Sequence, residues 1–343
     1  MREERPLVSI YCLTYNHESF IRDCLEGFIN QQTDFSFEVI IHDDASTDGT
    51  QAIVREYEEK YPDIIRPIYQ RQNQFSLHVN PVNEFVFPLV RGKYVAICEG
   101  DDYWTDVHKL QEQVSMMEDH PDCHFCVCGV QEVSVDKIAL GVNHPNTTIH
   151  ERFISPQDFI RYAGTYSFQT SSYVMRYDDW REYIQNEPQF KVISDIGDLP
   201  MLLYFGSLGT TAYIDKVMSC YRRGAPSSYS AKKSQWSEEK RIGHLDIQLN
   251  VWKLFDEFSG YRFHRVCARK VADNMFGYCV LQYQAKQFLQ KENRDYFAAL
   301  PKARKAFVLL ACVLKRTMKR YYISAISRKE KKELAVWKSI SGR

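Results

Sequence analysis

Three clusters of carboxylates stand out in this 343-residue sequence, because their members lie close enough along the chain to repel one another. They are Asp43 and Asp44 in "HDDAS", Glu99, Asp101 and Asp102 in "CEGDDYW", and Asp195 and Asp198 in "SDIGDLP". Neighbouring like charges are costly unless a cation compensates them or water screens them. The middle cluster therefore indicates either a solvated turn or a site for a divalent cation, since hard cations prefer carboxylate oxygens.

The segments around the first two clusters alternate short apolar runs with helical periodicity, which is typical of an open α/β sheet. The predicted strands are Leu7–Leu13, Phe37–His42, Ile64–Tyr69 and Tyr94–Cys98, and the predicted helices are Glu18–Gln31, Thr50–Tyr61, Asn83–Val90 and Lys109–Asp119. The two clusters follow the second and fourth strands. Ligands bind outside the carboxyl ends of strands in such sheets, so we expect both clusters at one crevice.

The alternation ends at about residue 155. The later elements are predicted as a strand at Gln169–Arg176, a capped helix at Ser194–Gly209, a strand, turn and strand over Thr211–Gly224, and a polar linker at Ser227–Ser237. The remainder has helical periodicity. This pattern predicts one domain over residues 1–228 and a helical region over residues 229–343.

Composition argues against several classes of protein. The 44 Lys and Arg residues balance 44 Asp and Glu residues, so no global charge favours nucleic acid. No apolar run approaches the roughly 20 residues needed to span a bilayer.

The charged N-terminus lacks a secretory signal, and the ten cysteines are therefore interpreted as reduced cytosolic thiols. "CHFCVC" at Cys123–Cys128 is predicted to contribute buried strand cysteines, since no second pair with zinc-ligand spacing follows.

Four segments, in order and spacing, resemble the family 2 glycosyltransferases with a GT-A fold. They are Val8–Gln31, Glu38–Thr50, Arg91–Trp104 and Asp195–Phe205, with Val217–Gly224 as a frequent companion. Each motif alone is weak, but four in the right order make a strong signal. The resemblance implies an α/β, Rossmann-like, mostly parallel sheet flanked by helices, with a helical C-terminal extension. It also implies inverting transfer of a sugar from a nucleotide sugar, most simply a UDP-sugar, to an acceptor hydroxyl.

The resemblance implies roles in nucleotide binding for the first two motifs. Thr14 and Tyr15 in "LTYN" would meet the base, Tyr15 by stacking. Asp44, with Asp43 as the alternative, would accept a hydrogen bond from a uracil-type N–H, which a carboxylate does well.

Further donor contacts are implied for basic and hydroxyl side chains. In "YRRG", Arg222 and Arg223 would approach the same face, where one contacts phosphate or only pairs with a carboxylate. Arg71, which follows the third strand, is a further phosphate candidate. Ser171 and Ser172 would line the donor sugar.

The remaining carboxylates would carry the chemistry. The resemblance implies that Asp102 binds Mn²⁺ or Mg²⁺, which offsets charge on the departing diphosphate, and that Asp101 meets the ribose or the metal shell. Glu99 stands where the family commonly has Asp, so its role stays open. Asp198 would be the general base at the start of its helix, with Asp195 as the helix cap. The alternatives are that Asp195 is the base or that both residues only cap the helix.

Two other hypotheses compete with a metal-dependent transferase of class EC 2.4. A sugar nucleotidyltransferase would need a Gly-rich phosphate loop after the first strand, and "TYNHESF" has none. A non-catalytic scaffold would be expected to lack one of Asp44, Asp102 and Asp198, and all three are present.

The expected partners are a nucleotide-sugar donor and a glycan or lipid-linked acceptor, as in bacterial surface polysaccharide synthesis, and not nucleic acid. The expected location is cytoplasmic or peripheral at the inner face of the plasma membrane. Arg304–Lys332, with its mixed basic and apolar residues, is either an amphipathic membrane-surface helix or a packing helix.

Overall fold

The structure is a computed structural model that describes residues 5–163, 168–225, 233, 235–281 and 285–313. The chain divides into two compact units. The first comprises Met1–Glu187 and Met201–Gln235, and the second comprises Pro188–Pro200 and Trp236–Arg343. The domain boundary predicted at residues 228 and 229 lies outside the described residues.

The first unit is built on a mixed sheet, which has ten strands within the described residues. They are β1 (Val8–Thr14), β2 (Phe37–Asp43), β3 (Ile65–Tyr69), β4 (Tyr94–Ile97), β5 (Tyr103–Trp104), β6 (Cys123–Val133), β7 (Ala139–His144), β8 (Phe153–Ile154), β9 (Val174–Arg176) and β10 (Thr210–Arg222). The order is β3-β2-β1-β4-β9-β6-β10-β5, with β7 beside β6 and β8 beside β10. Strands β3, β2, β1 and β4 run parallel, and β9 joins β4 and β6 antiparallel to both.

Helices cover this sheet and form most of the second unit. They are α1 (Ile21–Ile29), α2 (Thr50–Lys60), α3 (Lys109–Asp119), α4 (Pro156–Ala163), α5 (Tyr177–Asn186), α6 (Gln189–Val192), α7 (Asp198–Leu208), α8 (Glu238–Phe258), α9 (His264–Leu281), α10 (Arg294–Ala299) and α11 (Lys302–Val313). Short non-α turns lie at Phe75–Leu77, Val82–Val86, Phe87–Leu89, Thr170–Ser172, Ala285–Leu289 and Lys291–Asn293. No helix within the described residues combines the length and hydropathy needed to cross a bilayer.

The core of the first unit lies on the parallel strands. These strands are near-continuous apolar runs because a parallel sheet is covered on both faces. Completely buried examples are Ile10, Cys12, Val39, Ile41 and Ala96. Helix α1 packs its buried Phe28 ring edge-on against Trp104 of β5, with 4.9 Å between the ring centroids. Full burial of a large apolar side chain contributes about 1.5–3 kcal/mol, so this contact anchors the strand that follows the middle acidic cluster.

The predicted strands and helices of the first half agree with the structure, except over Asn83–Val90. That segment forms a π-type turn at Val82–Val86 and a 3₁₀ turn at Phe87–Leu89. Pro88 has no N–H to donate to the Glu84 carbonyl, so an α-helical hydrogen-bond ladder cannot continue through it. The cysteines at positions 123, 126 and 128 are buried residues of β6, as predicted.

Three predictions for the second half were wrong in detail. The Gln169–Arg176 strand begins only at Val174, because Ser172 donates both its N–H and its hydroxyl to the Gln169 carbonyl and forms a turn. The segment predicted as strand, turn and strand over Thr211–Gly224 forms the single strand Thr210–Arg222, and a register shift between Ile214 and Val217 takes the place of the turn. The Ser194–Gly209 helix begins only at Asp198.

In the second unit, aromatic side chains pack between helices. Phe190 of α6 meets Phe255 and Phe258 of α8 edge-on, and Phe255 stacks on Phe263 at 5.7 Å. Ser237 caps α8 by accepting a hydrogen bond from the Lys240 N–H at 3.2 Å. Of the predicted amphipathic segment Arg304–Lys332, residues 314–332 lie outside the described residues.

Candidate active site

Two of the acidic clusters meet at the carboxyl end of β1. The Asp44 N–H donates to the Thr14 carbonyl at 3.0 Å, and the Gly100 N–H donates to the Leu13 carbonyl at 2.9 Å. β1 pairs with β2 on one side and β4 on the other, so the turns that follow those strands flank its end. The predicted convergence of the two clusters is confirmed.

The two carboxylates of "HDDAS" differ in accessibility. Asp43 is completely buried, and its Oδ1 accepts from the Ser46 N–H at 3.0 Å and the Gln51 amide at 2.6 Å. Asp44 keeps 7% of its surface exposed, and its carboxylate accepts the N–H groups of Gln74 (2.6 Å) and Phe75 (3.1 Å). A carboxylate has about four acceptor positions, so Asp44 retains capacity for a ligand. Of the two residues, Asp44 is the one a ligand can reach.

Tyr15 and Thr14 are placed differently at the end of β1. Tyr15 is 39% exposed, as a base-stacking ring must be, whereas Thr14 is buried and contacts His17, with 3.2 Å between Oγ1 and Nδ1. Gly100 packs against this pair so closely that a Cβ there would lie 2.7 Å from Thr14 Oγ1 and 2.9 Å from His17 Nδ1. Thr14 therefore supports the neighbouring turn. No sequence pattern predicted this contact for His17.

The segment Glu99–Asp102, called here the acidic turn, concentrates negative charge in a buried place. Asp102 is 3% exposed, and its Oδ1 accepts the Arg222 N–H at 2.8 Å. Burial, followed by the like charges of Asp101 and Glu99, raises the pKa of Asp102 well above its usual range. Asp101 is half-buried, and among the described residues its carboxylate has no hydrogen-bond partner.

These carboxylates fit a divalent cation that takes only part of its shell from protein. Within the described ranges, no three His, Cys, Asp or Glu side chains are grouped so as to hold a metal ion. Mg²⁺ and similar hard ions commonly use one or two carboxylates, with substrate phosphates and waters filling the remaining positions. Asp102 and Asp101 match that donor set, and a cation would offset the burial and the like charges that together raise the pKa of Asp102.

Arg222 is not placed as an accessible phosphate ligand. Its side chain is completely buried between the rings of Phe20 (4.7 Å from the guanidinium carbon) and Tyr103 (4.9 Å). It donates to the Asp101 carbonyl at 2.7 Å and pairs with Asp23 at 2.8 Å. Of the two predicted alternatives, the structure favours pairing with a carboxylate. Arg222 thus supports the acidic turn from the protein interior.

Replacement of Arg222 tests this structural role. Arg222→Met is expected to lower the free energy of unfolding by about 3 kcal/mol, because it removes the donor of the Asp101 carbonyl and of Asp23 Oδ2 and leaves Asp23 with Lys137 as its remaining cation. Urea denaturation measures this change. Arg223→Met is the matched control, since Arg223 is 41% exposed and 3.5 Å from Glu132, and a loss below about 0.5 kcal/mol is expected. Wild-type stability of Arg222→Met with loss of nucleotide affinity would restore the phosphate role.

Arg71 and the two serines also differ in accessibility. Arg71 is exposed after β3, and its phosphate role stays a prediction. Ser171 and Ser172 are completely buried, which contradicts their placement along the donor sugar. The Ser171 hydroxyl pairs with that of Ser219 at 2.8 Å. In the same turn, the Thr170 hydroxyl donates to Glu99 Oε2 at 2.7 Å, a contact that sequence patterns did not indicate.

Asp195 and Asp198 lie in the second unit and have separate surroundings. The Asp195 carboxylate contacts His244 of α8 at 2.6 Å and accepts from the Gln248 amide at 3.2 Å, so the prediction that it caps α7 is wrong. Asp198 is the half-buried first residue of α7. Its Oδ1 accepts the Leu199 N–H at 2.8 Å, and the positive end of the helix dipole stabilises a carboxylate there.

Comparison with known proteins gives three sequence similarities. Residues 9–179 match the family model described as Glycosyl transferase family 2. An uncharacterized protein of Mycobacterium tuberculosis is 46% identical over 129 residues, which are 38% of this chain and 36% of that protein. TuaG of Bacillus subtilis, named for teichuronic acid biosynthesis, is 31% identical over 136 residues, 40% of this chain and 51% of TuaG. The alignments thus span only a third to a half of these relatives.

The fold extends the similarity along the chain. Residues 1–349 of Staphylococcus aureus TarS, crystallised with UDP-GlcNAc, superpose with a TM-score of 0.61 at 17% identity, covering 93% of this chain and 92% of that one. The prediction of an α/β GT-A fold with C-terminal helices is confirmed by this likeness. The matched family model shows that residues 9–179 of this chain belong to glycosyltransferase family 2.

Proposed function

We propose that this protein is an inverting, metal-dependent glycosyltransferase that moves a sugar from a UDP-sugar to an acceptor hydroxyl. The observation that carries the proposal is the meeting of Asp44, Tyr15 and the acidic turn at the end of β1. A base acceptor, an exposed aromatic ring and a pair of carboxylates are what a nucleoside diphosphate requires. The TarS crystal with UDP-GlcNAc shows that the same fold accommodates such a donor in another protein.

In this proposal, the first unit binds and orients the donor. The base stacks on Tyr15, and Asp44 accepts its N–H. Asp102 and Asp101 would hold Mn²⁺ or Mg²⁺, which acts as a Lewis acid toward the diphosphate leaving group. Arg222 keeps Asp102 in place through its backbone N–H, and Arg71, which is exposed after β3, would contact phosphate. Thr14 fixes the end of β1.

The transfer step needs a base for the acceptor. Asp198 takes the proton of the acceptor hydroxyl while the acceptor oxygen forms the bond to the anomeric carbon. The bond from that carbon to the diphosphate oxygen breaks, and the electron pair leaves with the nucleoside diphosphate. Attack in line with the leaving group inverts the configuration. Asp195 is the weaker candidate because both of its oxygens already have partners on α8.

A panel of nucleotide sugars with Mn²⁺ tests the proposal. Nucleoside diphosphate release from one UDP-sugar is expected, with thermal stabilisation by UDP plus Mn²⁺ and loss of both effects in EDTA. The same panel with GDP- and CMP-sugars provides the control for base recognition. Transfer that persists in EDTA would contradict metal dependence, and the absence of release from every donor would contradict the activity.

We further propose that the acceptor is a growing glycan or lipid-linked oligosaccharide of bacterial surface polysaccharide synthesis, a role consistent with the similarity to TuaG. The protein would act in the cytoplasm, peripherally at the inner face of the plasma membrane. Residues 304–332 contain ten basic residues and one acidic residue, although charges balance over the whole chain. A basic segment near an anionic surface gains about 1 kcal/mol per Lys or Arg.

Sedimentation with lipid vesicles checks the membrane proposal. The full chain is expected to bind vesicles containing anionic phosphatidylglycerol and to be released as salt is raised, because the interaction is electrostatic. Vesicles of pure phosphatidylcholine are the control. Equal binding to both vesicle types, or binding that salt does not weaken, would contradict an electrostatic membrane contact.

A further inference from the structure

The turn Thr170–Ser172, called here the 170–172 turn, is held by side chains from around the acidic turn. The Trp104 Nε1–H donates to the Ser171 carbonyl at 2.8 Å, and the Gln113 amide donates to the Ser172 carbonyl at 2.8 Å. The Thr170 hydroxyl donates to Glu99 Oε2 at 2.7 Å. Each residue of the turn therefore has its own anchor. Only the Thr170 anchor comes from a carboxylate of the acidic turn itself.

Glu99 occupies an electrostatically unfavourable place. It is the second residue after the end of β4, and it adds a negative charge beside those of Asp101 and Asp102. A third carboxylate in such a place requires a compensating role, either as a cation ligand or as a hydrogen-bond acceptor. The short contact with Thr170 shows which role its Oε2 fills.

The 170–172 turn lies where it can shape a ligand crevice. The Ile97 N–H donates to the Tyr173 carbonyl, so the turn sits just beyond the carboxyl end of β4 and beside the acidic turn. Ser171 and Ser172 are completely buried, whereas Gln169 and Thr170 keep exposed surface. The exposed side of this segment is thus held by the Glu99–Thr170 contact.

We propose that Glu99 is a positioning residue that fixes the 170–172 turn as a wall of the donor site through Thr170, and that metal coordination is left to Asp101 and Asp102. This inference rests on the proposed function for its effect on turnover. The anchor itself is a property of the free protein. A glutamine at position 99 could accept the same hydrogen bond without the charge, and a serine at position 170 could donate it.

The test compares Glu99→Gln, Glu99→Ala, Thr170→Ser and Thr170→Val with wild type. Mn²⁺ affinity is measured by calorimetry in the presence of UDP, and kcat and KM are measured with the donor that the wild type uses. Glu99→Ala and Thr170→Val are each expected to lower kcat/KM about tenfold, and the double variant no further, because both remove one shared contact. Glu99→Gln and Thr170→Ser are expected to stay within about twofold. Mn²⁺ affinity should change less than about threefold in all variants, because every variant keeps the proposed ligands Asp101 and Asp102.

Unfolding without ligand tests the anchor independently of function. The Glu99→Ala and Thr170→Val pair should be coupled by about tenfold in the unfolding equilibrium constant. Thr33→Val is the matched control, since the Thr33 hydroxyl donates to the Phe35 carbonyl at 2.7 Å, before β2 begins, and it should show no coupling with Glu99.

Two results would overturn the positioning role. One is a tenfold loss of Mn²⁺ affinity in Glu99→Gln while Thr170→Val resembles wild type, which would make Glu99 a metal ligand. The other is additive effects, or none, in the double-variant cycles. If the wild type releases no nucleoside diphosphate from any donor but the unfolding cycle shows coupling, the proposed function fails and the anchor stands.

Discussion

Asp102→Asn is expected to abolish Mn²⁺-dependent UDP binding and to lower sugar transfer about a thousandfold or more, with the fold retained. Loss of a Lewis acid from the leaving group removes several kcal/mol of transition-state stabilisation, which corresponds to that factor. The fold should persist because an asparagine oxygen can still accept the Arg222 N–H, now at 2.8 Å from Asp102 Oδ1. Burial and neighbouring carboxylates already raise the pKa of Asp102, so the uncharged amide adds no electrostatic strain.

The measurement combines calorimetry of UDP with and without Mn²⁺, steady-state rates and urea denaturation. Asp106→Asn is the matched control, since Asp106 lies four residues further on and pairs with Lys216 at 2.6 Å. That control should keep Mn²⁺-dependent binding. Full activity of Asp102→Asn in EDTA would refute the assignment of Asp102 as metal ligand.

Asp198→Asn has the second large expected effect. Transfer should fall by about 10²–10⁴-fold, the usual contribution of a general base, while donor affinity stays unchanged. The amide keeps the oxygen that accepts the Leu199 N–H, so the start of α7 should be preserved. Because a general base acts in its deprotonated form, the acidic limb of the rate profile against pH should be lost together with the rate.

Asp195→Asn separates the two candidate bases. Asp195 contacts His244 and Gln248, so its replacement is expected to weaken the second unit modestly, by about 1 kcal/mol, and to leave transfer within about threefold. Transfer retained by Asp198→Asn and lost by Asp195→Asn would reverse the assignment. Substrate binding in calorimetry distinguishes either result from a general loss of structure.

The sequence by itself determined the parallel half of the sheet and the convergence of two acidic clusters. Those features depend on local signals: apolar runs for β1, β2 and β4, turn residues after them, and the rule that ligands bind beyond strand ends. The roles of Asp44 and Asp102 were implied by the resemblance of the ordered motifs to family 2 glycosyltransferases. The order of four short motifs likewise indicated the family.

Only the tertiary structure decided what the polar side chains contact. Arg222 resembles a phosphate ligand in its motif, yet its partner Asp23 lies 199 residues away in sequence. Glu99 meets Thr170 across 71 residues, and Ser171 meets Ser219 across 48. Contacts of this kind leave no periodicity in the chain, because each joins elements that are far apart in sequence and are brought together by the sheet and its helices. Arg222 and Ser171 were predicted to contact the donor, but both are completely buried and support neighbouring turns instead. That burial arises only when helices cover the sheet.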